Sequence, residues 1–143
     1  MTTSTASAVW DGGLKTGKGT FNAGSGAFQG AYSFPTRFEG AKGTNPEELI
    51  AAAHAACLSM ALAAGLEKAG TPAKQISTTA SCTIEAVSGE LKITRMKLVV
   101  RGTVPGIEQP AFTGAAEEAK NGCPVSNALK GNVEFQLDAL LLE

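Results

Sequence analysis

Residues 45–68 read NPEELIAAAHAACLSMALAAGLEK, and this stretch decides the fold. Asn45 suits an N-cap, Pro46 the first helical position, and Glu48 the third, a variant of the capping box. Glu47 and Glu48 also fall where the positive end of a helix dipole stabilises a carboxylate. The predicted helix runs to about Lys68, where Ala69-Gly70-Thr71-Pro72 stops it. Its core, Leu49 to Leu66, is 18 residues long with eight alanines, broken by His54, Ser59 and Gly65. That length just reaches a membrane span. The polar interruptions, the alanine content and the lack of a flanking basic cluster favour a buried core helix instead. A helix apolar on every face must be surrounded by protein. A chain of 143 residues has little material to do so, and a partner subunit is expected to supply part of the cover.

Upstream of this helix, residues 8 to 38 read as short strands and turns. Ala8-Val9-Trp10 and Lys18-Gly19-Thr20-Phe21 flank a glycine-rich turn, and Tyr32 to Phe38 reads as extended, with Pro35 at an edge or bend. Downstream, Ser77 to Val87 and Leu91 to Val104 form a hairpin about Ser88-Gly89-Glu90. Leu91 and Ile93 share one face while Met96, Leu98 and Val100 share the other, which predicts a bulge near Thr94-Arg95. Pro110 to Lys120 and Pro124 to Lys130 read as short helices. Asn132 to Leu142 alternates, with Val133, Phe135, Leu137, Ala139 and Leu141 inward. This order predicts an α+β domain over residues 1–143, with an antiparallel sheet, a long central helix carrying Cys57, and a flexible N-terminus over about residues 1–7. It lacks the βαβ alternation and the glycine fingerprints of nucleotide-binding folds.

Composition narrows the function classes. A net charge of −1 gives no reason to expect a nucleic-acid partner. The first seven residues have neither a basic nor an apolar signal region, so the expected location is a reducing cytoplasm, and no membrane association is expected. Three cysteines do not make a secreted disulfide framework. In a reducing compartment a disulfide is more often transient or catalytic than structural.

Two cysteines sit in contrasting contexts. Cys57 lies midway along the apolar helix, where desolvation raises a thiol's pKa and a core role is the plain alternative. To act as a nucleophile it needs a nearby cation: Arg37, Lys42, Arg95, Arg101 or protonated His54. Cys123 lies in Asn121-Gly122-Cys123-Pro124, where backbone N–H groups at a helix start favour a thiolate; simple capping is the alternative. If the fold joins Cys57 and Cys123, the chain can make and break one disulfide. Cys82 reads as a packing residue on a strand. His54, the only histidine, is three residues from Cys57, but further ligands for a metal site are missing.

Thr36-Arg37-Phe38-Glu39-Gly40, Gly43-Thr44-Asn45-Pro46-Glu47-Glu48-Leu49, Ala52-Ala53-His54-Ala55-Ala56-Cys57 and Gly122-Cys123-Pro124-Val125-Ser126 together strongly resemble the OsmC/Ohr family of bacterial organic hydroperoxide reductases. The match is nearest the osmotically inducible protein C branch and extends from Trp10 to the last strand. The resemblance implies an OsmC-like fold, an intertwined homodimer with active sites at the subunit interface, and a role in oxidative or osmotic stress defence. It implies no metal or cofactor. Cys57 matches the peroxidatic cysteine, Cys123 the resolving cysteine, Arg37 the arginine that holds the thiolate, and Glu47 the glutamate that positions that arginine. The implied reductant is a dithiol, lipoyl-type or thioredoxin-like. Helix rise adds an independent point. Glu47 and Cys57 are ten residues apart on one helix, roughly 15 Å, so Glu47 can act on an Arg37–Cys57 pair only from a second chain. A thiol-based redox sensor and a non-catalytic ligand-binding dimer are the competing classes.

Overall fold

Glycine-punctuated strands at the start of the chain pair as a three-stranded antiparallel sheet, in the order β1 (Ala6–Asp11), β2 (Lys18–Ala23), β3 (Gln29–Tyr32). A computed structural model describes the whole chain, Met1–Glu143, as two compact units, Met1–Leu49 and Ile50–Glu143. β1 begins at Ala6, inside the segment expected to be flexible. Gly19 on β2 is opposite both Trp10 and Tyr32. A Cβ there would lie 2.6 Å from the Tyr32 ring and 2.7 Å from that of Trp10. The missing side chain is what lets the two rings meet, with centroids 5.4 Å apart.

The stretch expected to be extended instead folds into a short helix, α1 (Phe34–Phe38). Its cause is local. The Ser33 hydroxyl accepts from the Thr36 N–H at 3.3 Å, and the Thr36 hydroxyl accepts from the Ser33 N–H at 2.8 Å. This reciprocal cap satisfies two orphan donors, and Pro35 in the first turn has no N–H to lose. The cap overrides the extended conformation expected for Tyr32 to Phe38.

The long helix α2 (Pro46–Lys68) starts as expected. The Asn45 side chain accepts from the Glu48 N–H at 2.8 Å, and Glu48 accepts from the Thr44 hydroxyl at 2.6 Å. In the second unit α2 buries His54, Leu58, Leu62 and Leu66, one residue per turn. Ala52, Ala53, Ala56, Met60, Ala63 and Ala64 remain exposed, and only 28% of the most apolar window is buried within the chain. Length and hydropathy alone would also suit a membrane span. His54 at mid-helix and the Ser59 hydroxyl bonded to Thr78 at 2.7 Å instead tie α2 to polar groups of the fold.

The second sheet has the order β4 (Gln75–Val87), β5 (Glu90–Thr103), β6 (Glu134–Leu141). Thr83 faces Arg95 and Ile84 faces Ile93, so Thr94 is the extra residue of a bulge. The phase change seats Met96, Leu98 and Val100 in the core. β4 and β5 are antiparallel, but β6 runs parallel to β5, with Met96, Leu98 and Val100 beside Phe135, Leu137 and Ala139. A wholly antiparallel sheet was expected. The helices α3 (Gln109–Gly122) and α4 (Pro124–Leu129) form a crossover long enough to return the chain in the parallel sense. Alternation in sequence fixes which residues face inward, not the direction of the strand. Gln109 pins the crossover to β6, donating to the Ala139 carbonyl at 3.0 Å and accepting from the Leu141 N–H at 2.7 Å. The Phe112 ring of α3 fills the space left by the absent side chain of Gly102 on β5.

Candidate active site

The site residues fall into two pairs. In the first unit, Arg37 lies in the last turn of α1 and Glu47 in the first turn of α2. The guanidinium Nε donates to both Glu47 carboxylate oxygens at 3.1 and 3.2 Å, and Nη2 donates to Oε1 at 2.6 Å. Glu47 is 5% exposed, and the Arg37 side chain is about one-third exposed. A planar fork held on a carboxylate in this way is fixed in orientation as well as charge. The Phe38 ring supports it from one side, 5.2 Å from the guanidinium carbon. Glu47 therefore holds Arg37 of its own chain. The connection from α1 to α2 is short enough to allow this.

Arg37 also borders a pocket of about 260 Å3 lined by Trp10, Leu14, Tyr32, Phe34 and Phe38. The Nη1 donors are not taken by Glu47, so a polar group at the pocket mouth could accept from them while an apolar body lies against the rings. A larger groove of about 500 Å3 between α2 and α3 is lined by small residues such as Ala61, Gly65, Ala111 and Ala115, and it holds no nucleophile.

In the second unit the fold brings Cys57 of α2 near Cys123 at the junction of α3 and α4, close enough for each thiol to shift the titration of the other. No disulfide joins them. Cys123 is fully buried and caps α4: its sulfur accepts from the Ser126 N–H and meets the Ser126 hydroxyl, each at 3.4 Å. The capping expected as the alternative for Cys123 is present, and the same cap supplies donors to its sulfur. Burial pushes the Cys123 thiol up, but the Ser126 hydroxyl and N–H, the Cys57 thiol and the Val125 N–H together bring it below the ordinary range. Cys57 goes the other way. Burial raises it, the Val125 N–H opposes this, and its donation to Cys123 together with the charge there raises it further.

The cations considered for Cys57 in this unit are otherwise engaged. Arg95 pairs with Glu134 at 3.9 Å and Arg101 with Asp138 at 3.3 Å, both across β5 and β6. His54 is fully buried, and burial lowers its pKa, so it is a neutral ring at pH 7. Its Nε2 lies 2.8 Å from the Ser126 hydroxyl, and its edge packs on Phe135. Cys82 packs against the core, as expected.

A sequence profile described as OsmC-like protein matches residues 39–138. The chain belongs to the OsmC-like protein family. Among curated relatives, the peroxiredoxin OsmC of Escherichia coli K12 is 49% identical over 133 residues, 91% of this chain and 93% of that protein. An organic hydroperoxide resistance protein of Xanthomonas axonopodis pv. citri is 34% identical over 100 residues, 68% of each chain. Among solved structures, an organic hydroperoxide resistance protein from Elizabethkingia anophelis, crystallised with thiocyanate, superposes with a TM-score of 0.76 at 26% identity and covers 99% of both chains. The OsmC/Ohr resemblance read from four short motifs thus extends to the fold of the whole chain.

Sequence reasoning missed Ser126 and Val125. Ser126 sits three residues beyond Cys123, the N-cap-to-N3 spacing, and that spacing was available as a signal. Nothing in the sequence marks the approach of His54 to Ser126, which depends on how α2 and α4 pack.

Proposed function

We propose that this protein is a thiol-dependent peroxidase that reduces organic hydroperoxides to alcohols, with Cys57 as peroxidatic and Cys123 as resolving cysteine. The observation that carries this reading is the proximity of the two thiols, each shifting the other, at one junction of helices. The names of the relatives support the same chemistry.

In the second unit, Arg95, Arg101 and the neutral His54 supply no free cation to the Cys57 thiolate. Arg37 and Glu47 form a ready-made cationic fork, and Glu47 lies ten residues from Cys57 along one helix, roughly 15 Å. The reading we favour is a homodimer in which the partner subunit's Arg37, held by the partner subunit's Glu47, completes the site around Cys57. The exposed alanine stripe of α2 supports such an assembly, since an apolar helix face needs cover.

In this mechanism Arg37 stabilises the Cys57 thiolate and donates hydrogen bonds to the hydroperoxide oxygens. The thiolate attacks the distal oxygen, the O–O bond breaks, and the alkoxide leaves and takes a proton to become the alcohol. Cys57 is now a sulfenic acid. The Cys123 thiolate attacks its sulfur, hydroxide leaves and is protonated to water, and a Cys57–Cys123 disulfide forms. A dithiol, lipoyl-type or thioredoxin-like, reduces it by exchange. The aromatic pocket beside Arg37 favours substrates with an apolar body. The cell compartment we propose is the cytoplasm, in keeping with a disulfide that must be reduced on every cycle.

The test is intact mass on reduced protein before and after one equivalent of cumene hydroperoxide. Wild type should lose two hydrogens, with the bond mapped to Cys57–Cys123. Cys123→Ser should gain one oxygen, and Cys57→Ser should not react. No change in wild type would reject the reading and leave a ligand-binding dimer to pursue.

A further inference from the structure

One buried titratable group, His54, has no part in the peroxidase cycle described above. Its environment is a chain of polar atoms, all in the second unit. His54 Nε2 lies 2.8 Å from the Ser126 hydroxyl, and that hydroxyl lies 3.4 Å from the Cys123 sulfur. His54, Ser126 and Cys123 are each at most 2% exposed. The other ring nitrogen, Nδ1, is buried and has no hydrogen-bond partner.

That orphaned atom assigns the tautomer. A neutral imidazole carries one N–H. If it were on Nδ1, a donor would be buried unpaired, which proteins rarely tolerate; an unpaired acceptor is commoner. The proton therefore belongs on Nε2, which donates to the Ser126 oxygen. The Ser126 hydroxyl then has its hydrogen free to donate onward, and the Cys123 sulfur is the acceptor in reach. Every link points the same way, from ring to hydroxyl to sulfur. The Ser126 N–H, also at 3.4 Å, adds a second donor. The titratable groups facing Cys123 are Cys57 and, through Ser126, His54, both from α2.

We propose that His54 is a positioning residue which, through Ser126, aims donors at the Cys123 sulfur and so makes Cys123 the leaving sulfur when a thiol reductant opens the Cys57–Cys123 disulfide. This rests on the disulfide cycle proposed above. In exchange, the better-stabilised thiolate leaves faster and thereby decides which sulfur is attacked. The reductant thiolate attacks the Cys57 sulfur, the S–S bond breaks, and Cys123 departs with the electron pair into its waiting donors. The second thiol of the reductant, having released its proton, attacks the reductant sulfur of the mixed disulfide and expels Cys57. The dithiol ends oxidised to a disulfide and both cysteines end reduced. Exposure within one chain agrees, since Cys57 is part-exposed and Cys123 is sealed.

The test needs no peroxide, so its failure is separable from failure of the peroxidase reading. In full-length Cys57→Ser protein, thiolate absorbance at 240 nm is followed against pH. Adding Ser126→Ala should move the Cys123 midpoint up by about one unit, the worth of one hydrogen bond to a charged group. His54→Leu should move it up by roughly half a unit through the lost polarisation of Ser126. His54→Gln, whose amide can place an N–H where Nε2 was, should restore most of that. A packing role predicts the reverse order, with leucine tolerated and glutamine harmful. Midpoints unmoved by Ser126→Ala, or equal for leucine and glutamine at position 54, would overturn the proposal. A second arm oxidises otherwise wild-type protein with diamide and opens it with excess 2-mercaptoethanol under acid quench. The mixed disulfide is expected on Cys57, opening more than five-fold more slowly in Ser126→Ala. A mixed disulfide on Cys123 would overturn the proposal.

Discussion

Replacing Glu47 with glutamine isolates the one contact that fixes Arg37. The carboxylate accepts from Nε through both oxygens and from Nη2 at 2.6 Å. Glutamine keeps one acceptor oxygen but presents an NH2 to a guanidinium that offers only donors. At least one charge-assisted bond is lost, worth about 1.5–3 kcal/mol. Breaking a fully buried pair costs about 3–5 kcal/mol. The Arg37 side chain is about one-third exposed, so water offsets part of that, and about 2 kcal/mol of orientation is the figure to test. If the fork must be aimed for Cys57 to react, Glu47→Gln should slow thiol oxidation by cumene hydroperoxide about 30-fold. The assay is competition or stopped-flow kinetics of the first turnover, beside the rate at which a dithiol reduces the preformed disulfide. Reduction should stay within about two-fold, because Glu47 lies outside that step. An unchanged oxidation rate would refute the role of Glu47. An equal loss in both half-reactions would show damage to the fold rather than to the site.

Two further outcomes follow from packing. Phe34→Ala opens the aromatic pocket beside Arg37; with roughly 80 Å2 of apolar contact at stake, about 2 kcal/mol, kcat/KM should fall at least ten-fold for cumene hydroperoxide and little for hydrogen peroxide, and an equal fall for both would show that the pocket does not hold the substrate. Gly102→Ala drives a methyl group into the Phe112 ring and should cost about 1–3 kcal/mol, read as a fall of several degrees in Tm, and an unchanged Tm would mean that α3 can shift freely on the sheet.

What was legible in the sequence was what short-range chemistry dictates. The start and stop of α2, the bulge at Thr94 and the inward residues of β6 each follow from caps or periodicity within a few positions. Ser33-x-x-Thr36 obeys the same rule and closes a short helix where an extended segment was expected. The direction of β6 was not legible, since alternation looks the same in parallel and antiparallel pairing. At the site, the family resemblance implied both pairs, but not which chain supplies each member. That Glu47 grips Arg37 of its own chain, and that His54 reaches Ser126, depends on loop reach and helix packing. Neither leaves a periodic trace.

Cys57 and Cys123 meet from positions about 66 residues apart in the chain, and the segment between them holds β4, β5 and α3. A covalent link there closes a long loop in the unfolded chain, with a loss of disorder worth about 4 kcal/mol on the chain-entropy estimate. That is comparable with the whole margin by which many domains stay folded. A catalyst that makes and breaks such a link alternates between two resistances to unfolding, and its sturdier form exists while oxidant is in excess. On the proposed cycle the protein would be hardest to denature while oxidant is in excess, and would loosen again when reductant returns.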